Sequence, residues 1–217
     1  MLQKLRWKIA QKAELLWWKS YLKNKTIKEY HQWKIAYWNK LLNSIGLKNI
    51  DNPANSILDL GCGPGGIFMV FSQSAVWAVD PLVNLYEANL PHFKKYFYPN
   101  INFEANSIES FIADTLFDYV FCLNAINHVD DLSLSFDKLV QYLAPSGKLV
   151  MSIDAHNCSF LKRMFQLIPG DVLHPHQHDL KEYISMLTQR GCKIESTTLY
   201  KEELIFKSYI IVASKNN

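Results

Sequence analysis

The chain has 217 residues, 49% of them hydrophobic and 20% charged, with a formal net charge of +3. That length and balance suit one globular body with a substantial core and exclude a disordered or fibrous chain. No run reaches the roughly 20 apolar residues of a membrane span. The lysine-interrupted start MLQKLRWKIAQKAELLWWKS is no secretion signal, and the dispersed Cys62, Cys122, Cys158 and Cys192 form neither a CxxC motif nor a disulfide ladder, so a cytoplasmic, reducing setting is expected.

The charge is uneven. Residues 1–48 carry eleven Lys/Arg against two Glu, and the remainder is acidic. The change falls near the turn-like Asp51-Asn52-Pro53, which divides a basic helical extension, 1–50, from an α/β body, 51–217. Within the extension, Leu2, Leu5, Ile9, Ala13, Leu16 and Trp17 recur at helical spacing. A second helix is expected from Thr26, where Thr26-x-x-Glu29 reads as a capping box, and Gly46 marks its end. Tyr30, Trp33, Tyr37, Trp38, Leu41 and Leu42 form its apolar face.

From Ser56 onward short aliphatic runs alternate with helix-length segments, the pattern of a parallel sheet with right-handed crossovers. Strands are expected near Ile57–Leu60, Val76–Val79, Ile101–Phe103, Tyr119–Leu123 and Lys148–Ile153. A helix near Leu180–Gln189 follows, and the runs Lys193–Tyr200 and Leu204–Ala213 read as an antiparallel pair closing the sheet.

The first strand runs into SILDLGCGPGGIF, which holds four of the eight glycines, and an apolar helix is expected beyond it at Ile67–Phe71. Glycine at a strand's carboxyl end lets the backbone turn sharply and lets a ligand approach closely. An acid, Asp59, precedes the glycines, which suits an ammonium group better than a phosphate. That acid and the poor GxGxxG frame argue against a nicotinamide oxidoreductase. A second acid, Asp80, ends the second strand, where a carboxylate accepts from ribose hydroxyls. A ligand with a ribose and an ammonium but no phosphate is S-adenosylmethionine.

The same residues resemble the class I S-adenosylmethionine-dependent methyltransferases, in the broad group of ubiquinone and menaquinone methyltransferases. LDLGCGPGG is similar to the first motif, VWAVDP to the second, FDYVFCLNAINHVDDL to the fourth and LVQYLAPSGKLVMSI to the fifth. The likeness spans about Asn55 to Ser214. It implies a Rossmann-like, seven-stranded, mostly parallel sheet of order 3-2-1-4-5-7-6 with helices on both faces. It further implies that Asp59, Gly61, Cys62, Gly63 and Gly65 form the methionine-side loop and that Asp80 and Pro81 hold the ribose. Asn106 and Ser107 would edge the adenine, and Leu123 and Asn124 would close the methionine end. Asn106 stands where the family commonly has Asp. A non-catalytic binding module on the same fold is the rival reading.

Methyl transfer to a hydroxyl or ammonium needs a base near neutral pKa, which directs attention to histidine. His174 and His176, in the run HPHQH, are the first candidates, and His128 after the fourth strand is another. His156 and His178-Asp179 lie nearby in sequence, the latter pair suiting a helix cap. The HxHxH run with Asp154 and His156 lacks the spacing of a firm metal site, and no metal is assigned. A small-molecule acceptor between the basic extension, acting as a lid, and the histidine loop is the expected partner. Peripheral membrane contact through the extension ranks second and nucleic acid third.

Overall fold

The computed structural model describes residues 2–156, 178–202 and 206–216. Seven strands form one sheet: β1 (Ser56–Leu60), β2 (Ala75–Val79), β3 (Ile101–Glu104), β4 (Phe117–Cys122), β5 (Leu143–His156), β6 (Cys192–Glu202) and β7 (Phe206–Lys215). Their order is 3-2-1-4-5-7-6, as expected. The first five strands pair in parallel, and β7 pairs antiparallel with both β5 and β6. The closing hairpin predicted from the two last apolar runs is therefore present.

Helices α1 (Leu2–Leu22), α2 (Ile27–Ser44), α3 (Val83–Asn89), α4 (Leu132–Gln141) and α5 (Leu180–Thr188) complete the described fold. The Thr26–Glu29 capping box starts α2, with Glu29 N–H donating to Thr26 Oγ1 at 3.2 Å. Gly46 follows the end of α2 at φ +74, the left-handed turn that glycine adopts freely. Asp179 and Glu182 form a second reciprocal box at the start of α5.

Side chains alternate across the sheet. Ile57 on β1 belongs to the core beneath α2 and α3, whereas Leu58 and Leu60 belong to the core beneath α4 and α5. Period-two alternation puts Asp59 on the Ile57 side, toward α2. Leu22, Tyr30, Trp38, Leu41 and Leu42 pack into that same core with Phe68, Phe93 and Phe121, so the basic extension is continuous with the body.

One expectation fails. No α-helix follows the glycine loop. Gly63–Gly65 and Ile67–Val70 are single 3-10 turns. The carboxylate of Asp51 holds the chain beyond them. Its Oδ2 accepts the Ser72 N–H at 2.9 Å and its Oδ1 accepts those of Gln73 and Ser74 at 3.0 Å. Those amides are committed to a tight return into β2, which leaves no length for a helix.

Candidate active site

The glycine loop is anchored to β2. Gly61 and Cys62 donate their N–H groups to the Val79 carbonyl at 2.8 and 3.1 Å. Gly61 and Gly63 adopt φ +73 and +55. At Gly61 a side chain would also collide with Ala125, whereas at Gly63 the nearest neighbour of such a Cβ is Trp18 of α1, at 3.9 Å. The backbone at Gly63 is thus open toward α1.

Two buried acids flank this loop. Asp59 Oδ2 accepts the Phe68 N–H at 3.2 Å, so the amides expected at a helix start serve the loop itself. Burial pushes the Asp59 carboxyl up to about 7, while the Phe68 and Ile67 amides and the Lys34 ammonium pull the other way. Asp80 Oδ2 accepts from Gly63 N–H at 3.0 Å, and its Oδ1 accepts from Leu82 N–H at 2.8 Å. Burial and the Glu14 carboxylate push Asp80 well above the carboxylate range. Cys62, 4% exposed, lies between them, and burial with the Asp80 and Asp59 charges raises its thiol far above its ordinary value. Hydroxyl or ammonium donors brought to these acids would relieve their desolvation, so the residues fit the ribose and amino groups of S-adenosylmethionine.

The other sequence candidates are placed as follows. Pro81 continues directly from Asp80. Asn106 Nδ2 donates to Glu104 Oε2 at 3.2 Å beyond β3, and Ser107 forms a turn with Ser110. Leu123 is buried, and Asn124 is exposed at φ 55, a left-handed conformation that asparagine tolerates. Asn124 N–H donates to Ser152 Oγ at 2.6 Å, tying the end of β4 to β5. His128 is exposed in a 3-10 turn and does not line the cavity described next. His178 Nδ1 lies 3.4 Å from Glu182 Oε2 in the cap of α5. His174 and His176 lie outside the described residues, as do Pro175 and Gln177 of the same run. Among the described residues no cluster of three potential metal ligands occurs.

A cavity of about 580 Å³ opens between α1, α2 and the carboxyl ends of β4 and β5. Asn124, Asn127, Ser152 and Asp154 form its floor. Its walls are aromatic: Trp17, Trp18 and Tyr21 of α1; Trp33, Tyr37 and Trp38 of α2; and Tyr200 of β6. Trp38 Nε1–H donates to the Gly65 carbonyl at 2.9 Å, linking this wall to the glycine loop. Lys34 projects among these rings, its Nζ 5.3 Å from the Trp33 ring centroid, 5.4 Å from Tyr37 and 5.1 Å from Trp38. Burial lowers its ammonium to about 8, against the Asp59 charge, which raises it.

Sequence reasoning missed this residue. Its signal was present, because Lys34 interrupts the aromatic face of α2 four residues after Tyr30 and four before Trp38. A cation at such a position lies on the buried side of the helix.

Residues 30–197 match the model of a family described as a methyltransferase domain. The match begins within α2, upstream of the Asn55 where the motif likeness begins. A ubiquinone biosynthesis O-methyltransferase of Rickettsia akari is 33% identical over 101 residues, covering 44% of this chain and 39% of that protein. Its counterpart in Rickettsia typhi is 28% identical over 155 residues, 61% of each chain. The chain thus matches less than two thirds of the length of either relative. The crystal structure of a magnesium protoporphyrin IX methyltransferase from Synechocystis, with bound S-adenosylhomocysteine, superposes with a TM-score of 0.58 at 19% identity. That superposition covers 88% of this chain and 85% of that one. No helix among the described residues is long and apolar enough to cross a membrane.

Proposed function

Because this chain belongs to the methyltransferase domain family, the class I S-adenosylmethionine-dependent methyltransferases, we propose that it transfers a methyl group to a ring oxygen of a small aromatic acceptor. When bound, the cofactor supplies a methyl activated by its sulfonium charge, and the protein supplies alignment and a dry site. Asp80, with Pro81 beside it, accepts from the ribose. The loop Asp59–Gly65 carries the methionyl end, Asn106 and Ser107 edge the adenine, and Leu123 and Asn124 face the methionine side.

The observation that carries this reading is the contact between Asp80 and Gly63. A buried carboxylate 3.0 Å from the N–H of a left-handed glycine joins the ribose acid to the methionine loop in one cradle. The acceptor class rests on the aromatic walls of the adjoining cavity and on the relatives, which are named O-methyltransferases of ubiquinone biosynthesis. Residues 1–50 serve as a lid, since α1 and α2 supply most of those walls.

Isothermal titration with S-adenosylmethionine tests the cradle. Binding by the native protein, with at least tenfold weakening in Asp80→Asn, is expected; no binding, or unchanged affinity in the variant, removes the assignment.

A second reading concerns the lid. Leu16, Trp17 and Trp33 are 65%, 55% and 49% exposed beside the lysines of α1 and α2. These side chains suit contact with an anionic bilayer surface, from which a lipid-borne quinol could enter. Co-sedimentation with phosphatidylglycerol vesicles, absent with neutral vesicles, is the expected result.

A further inference from the structure

We propose that Lys34 is the catalytic group on the acceptor side: its amine binds the oxygen of a phenolic ring held between the aromatic walls, and takes the proton from it. The assignment rests on the methyltransferase reading above and adds the residue and the ionisation state of the acceptor.

The geometry selects Lys34. Asp59 faces α2 by strand alternation, and the Lys34 side chain comes back toward the same loop, with its Cε 3.3 Å from where a Gly65 Cβ would stand. Its Nζ therefore lies between the methionine loop and the cavity that Asn124 also lines. Among the described residues no hydrogen-bond acceptor or ion-pair partner engages that nitrogen. Three aromatic faces surround it at 5.1–5.4 Å. Aromatic faces hold an ammonium without supplying it a proton acceptor. The same walls offer stacking surface to a flat ring, whose hydroxyl would then meet Nζ.

Among the described residues, the other charged and titratable groups around the cavity leave this role to Lys34. Asp59 lies behind it on β1. Asp154 on β5 already accepts the Ser208 hydroxyl at 2.6 Å. The Tyr37 and Tyr200 rings meet edge to face with centroids 5.8 Å apart, and Tyr21 is stacked on Trp17. Lys201 lines the rim and is exposed. An amine lowered toward neutral by burial exists partly as the free base, the form able to accept a proton.

The step balances without an added reagent. The neutral Lys34 amine takes the phenolic proton and becomes ammonium. The freed oxygen pair forms the O–C bond to the methyl, and the C–S pair stays on sulfur, so a sulfonium becomes a thioether. The ammonium then loses its proton to water.

The experiment reads ionisation rather than turnover. 4-Nitrocatechol, whose neutral and anionic forms absorb differently, is titrated with pH in the presence of full-length protein saturated with S-adenosylhomocysteine. Bound to the native protein, the probe is expected to ionise about one pH unit lower than in solution, since an opposite charge at contact distance favours the anion by that order. Lys34→Met removes the shift. Lys34→Arg keeps it, because the charge remains, yet loses methyl transfer to the probe, because a guanidinium does not accept the proton. Lys201→Gln, His174→Ala and His176→Ala leave the shift in place.

A shift that persists in Lys34→Met overturns the assignment, as does one that disappears instead in the Lys201 or histidine variants. A probe that fails to bind the loaded native protein also overturns it. In each case calorimetry with S-adenosylmethionine stands apart: retained cofactor binding leaves the methyltransferase reading intact, and its absence removes that reading first. Lys34→Met, which replaces a buried cation by an apolar chain of similar length, is expected to fold with an unreduced melting temperature.

Discussion

The hydroxyl of Tyr86 on α3 donates to the Glu14 carboxylate on α1 at 2.7 Å, across 72 residues of sequence. Tyr86 is fully buried, so this bond fixes α1 against α3, at whose end Lys19 adds a 2.7 Å contact to Asn89. It also places Glu14 close enough to Asp80 to raise its carboxyl. Glu14→Ala leaves a buried hydroxyl without its acceptor, which costs about 1–3 kcal/mol. Glu14→Gln keeps an acceptor and removes the charge that opposes Asp80. Thermal melts near neutral pH should therefore place Gln well above Ala, and equal melting temperatures for the two would dissociate the bond from stability.

Gly61 and Gly46 share nearly the same backbone angle, φ +73 and +74, but not the same surroundings. A Cβ at Gly61 collides with the Ala125 side chain, whereas at Gly46 nothing lies within 4 Å. Gly46→Ala should cost only the left-handed strain, about 1–2 kcal/mol. Gly61→Ala adds overpacking of about 1–3 kcal/mol and displaces the turn behind Asn124. Urea denaturation of both variants checks the difference, and calorimetry should show weakened cofactor binding for the Gly61 variant alone.

The buried acids and Lys34 give the ligand-free protein an unusual pH profile. Asp59 rises from 3.8 to about 7 on folding. A raised carboxyl binds its proton more tightly in the folded state, so stability is present below the unfolded value and is lost as pH rises through about 7. Asp80 acts in the same direction. Lys34 falls from 10.5 to about 8, so the unfolded chain holds the extra proton between those values and stability recovers as pH rises across them. The melting temperature should dip between about pH 7 and 8. Lys34→Met should lack the alkaline recovery, which scanning calorimetry across the range would reveal.

Asp51 accepts three consecutive backbone N–H groups where a longer helix would otherwise continue. Those amides, with the surrounding hydrogen bonds, hold the Asp51 carboxyl below its usual range in spite of partial burial. Asp51→Ala should destabilise by about 2 kcal/mol, within the range for loss of a capping acceptor. Asp51→Asn should recover part of that, because its amide carbonyl accepts fewer of the three. Hydrogen exchange at Ser72–Ser74 should accelerate in the Ala variant; unchanged protection there would show that other contacts hold the turn.

The strands and both acids were legible in the sequence because each depends on local pattern, whereas the strand order came from the family resemblance. Alternating aliphatic runs specify parallel strands, and an acid at a strand's carboxyl end stays beside the neighbouring strand's end whatever surrounds it. The capping residues Thr26, Glu29 and Asp179 act over three or four positions and were equally readable. The missing helix after Gly65 was not, because Asp51, some twenty residues upstream in the chain, turns Ser72–Ser74 back into β2. A lid was expected of the aromatic extension, but the cavity that its rings line was not legible. Helical spacing marks Tyr30, Trp33, Tyr37 and Trp38 as one face, yet only packing onto β1 and the glycine loop turns that face into the wall of a cavity. Lys34 shows the division most clearly. Its chemistry comes from a low-dielectric position between Asp59, three aromatic rings and an open cavity, and desolvation of that kind is a property of the assembled fold, which no stretch of sequence contains by itself.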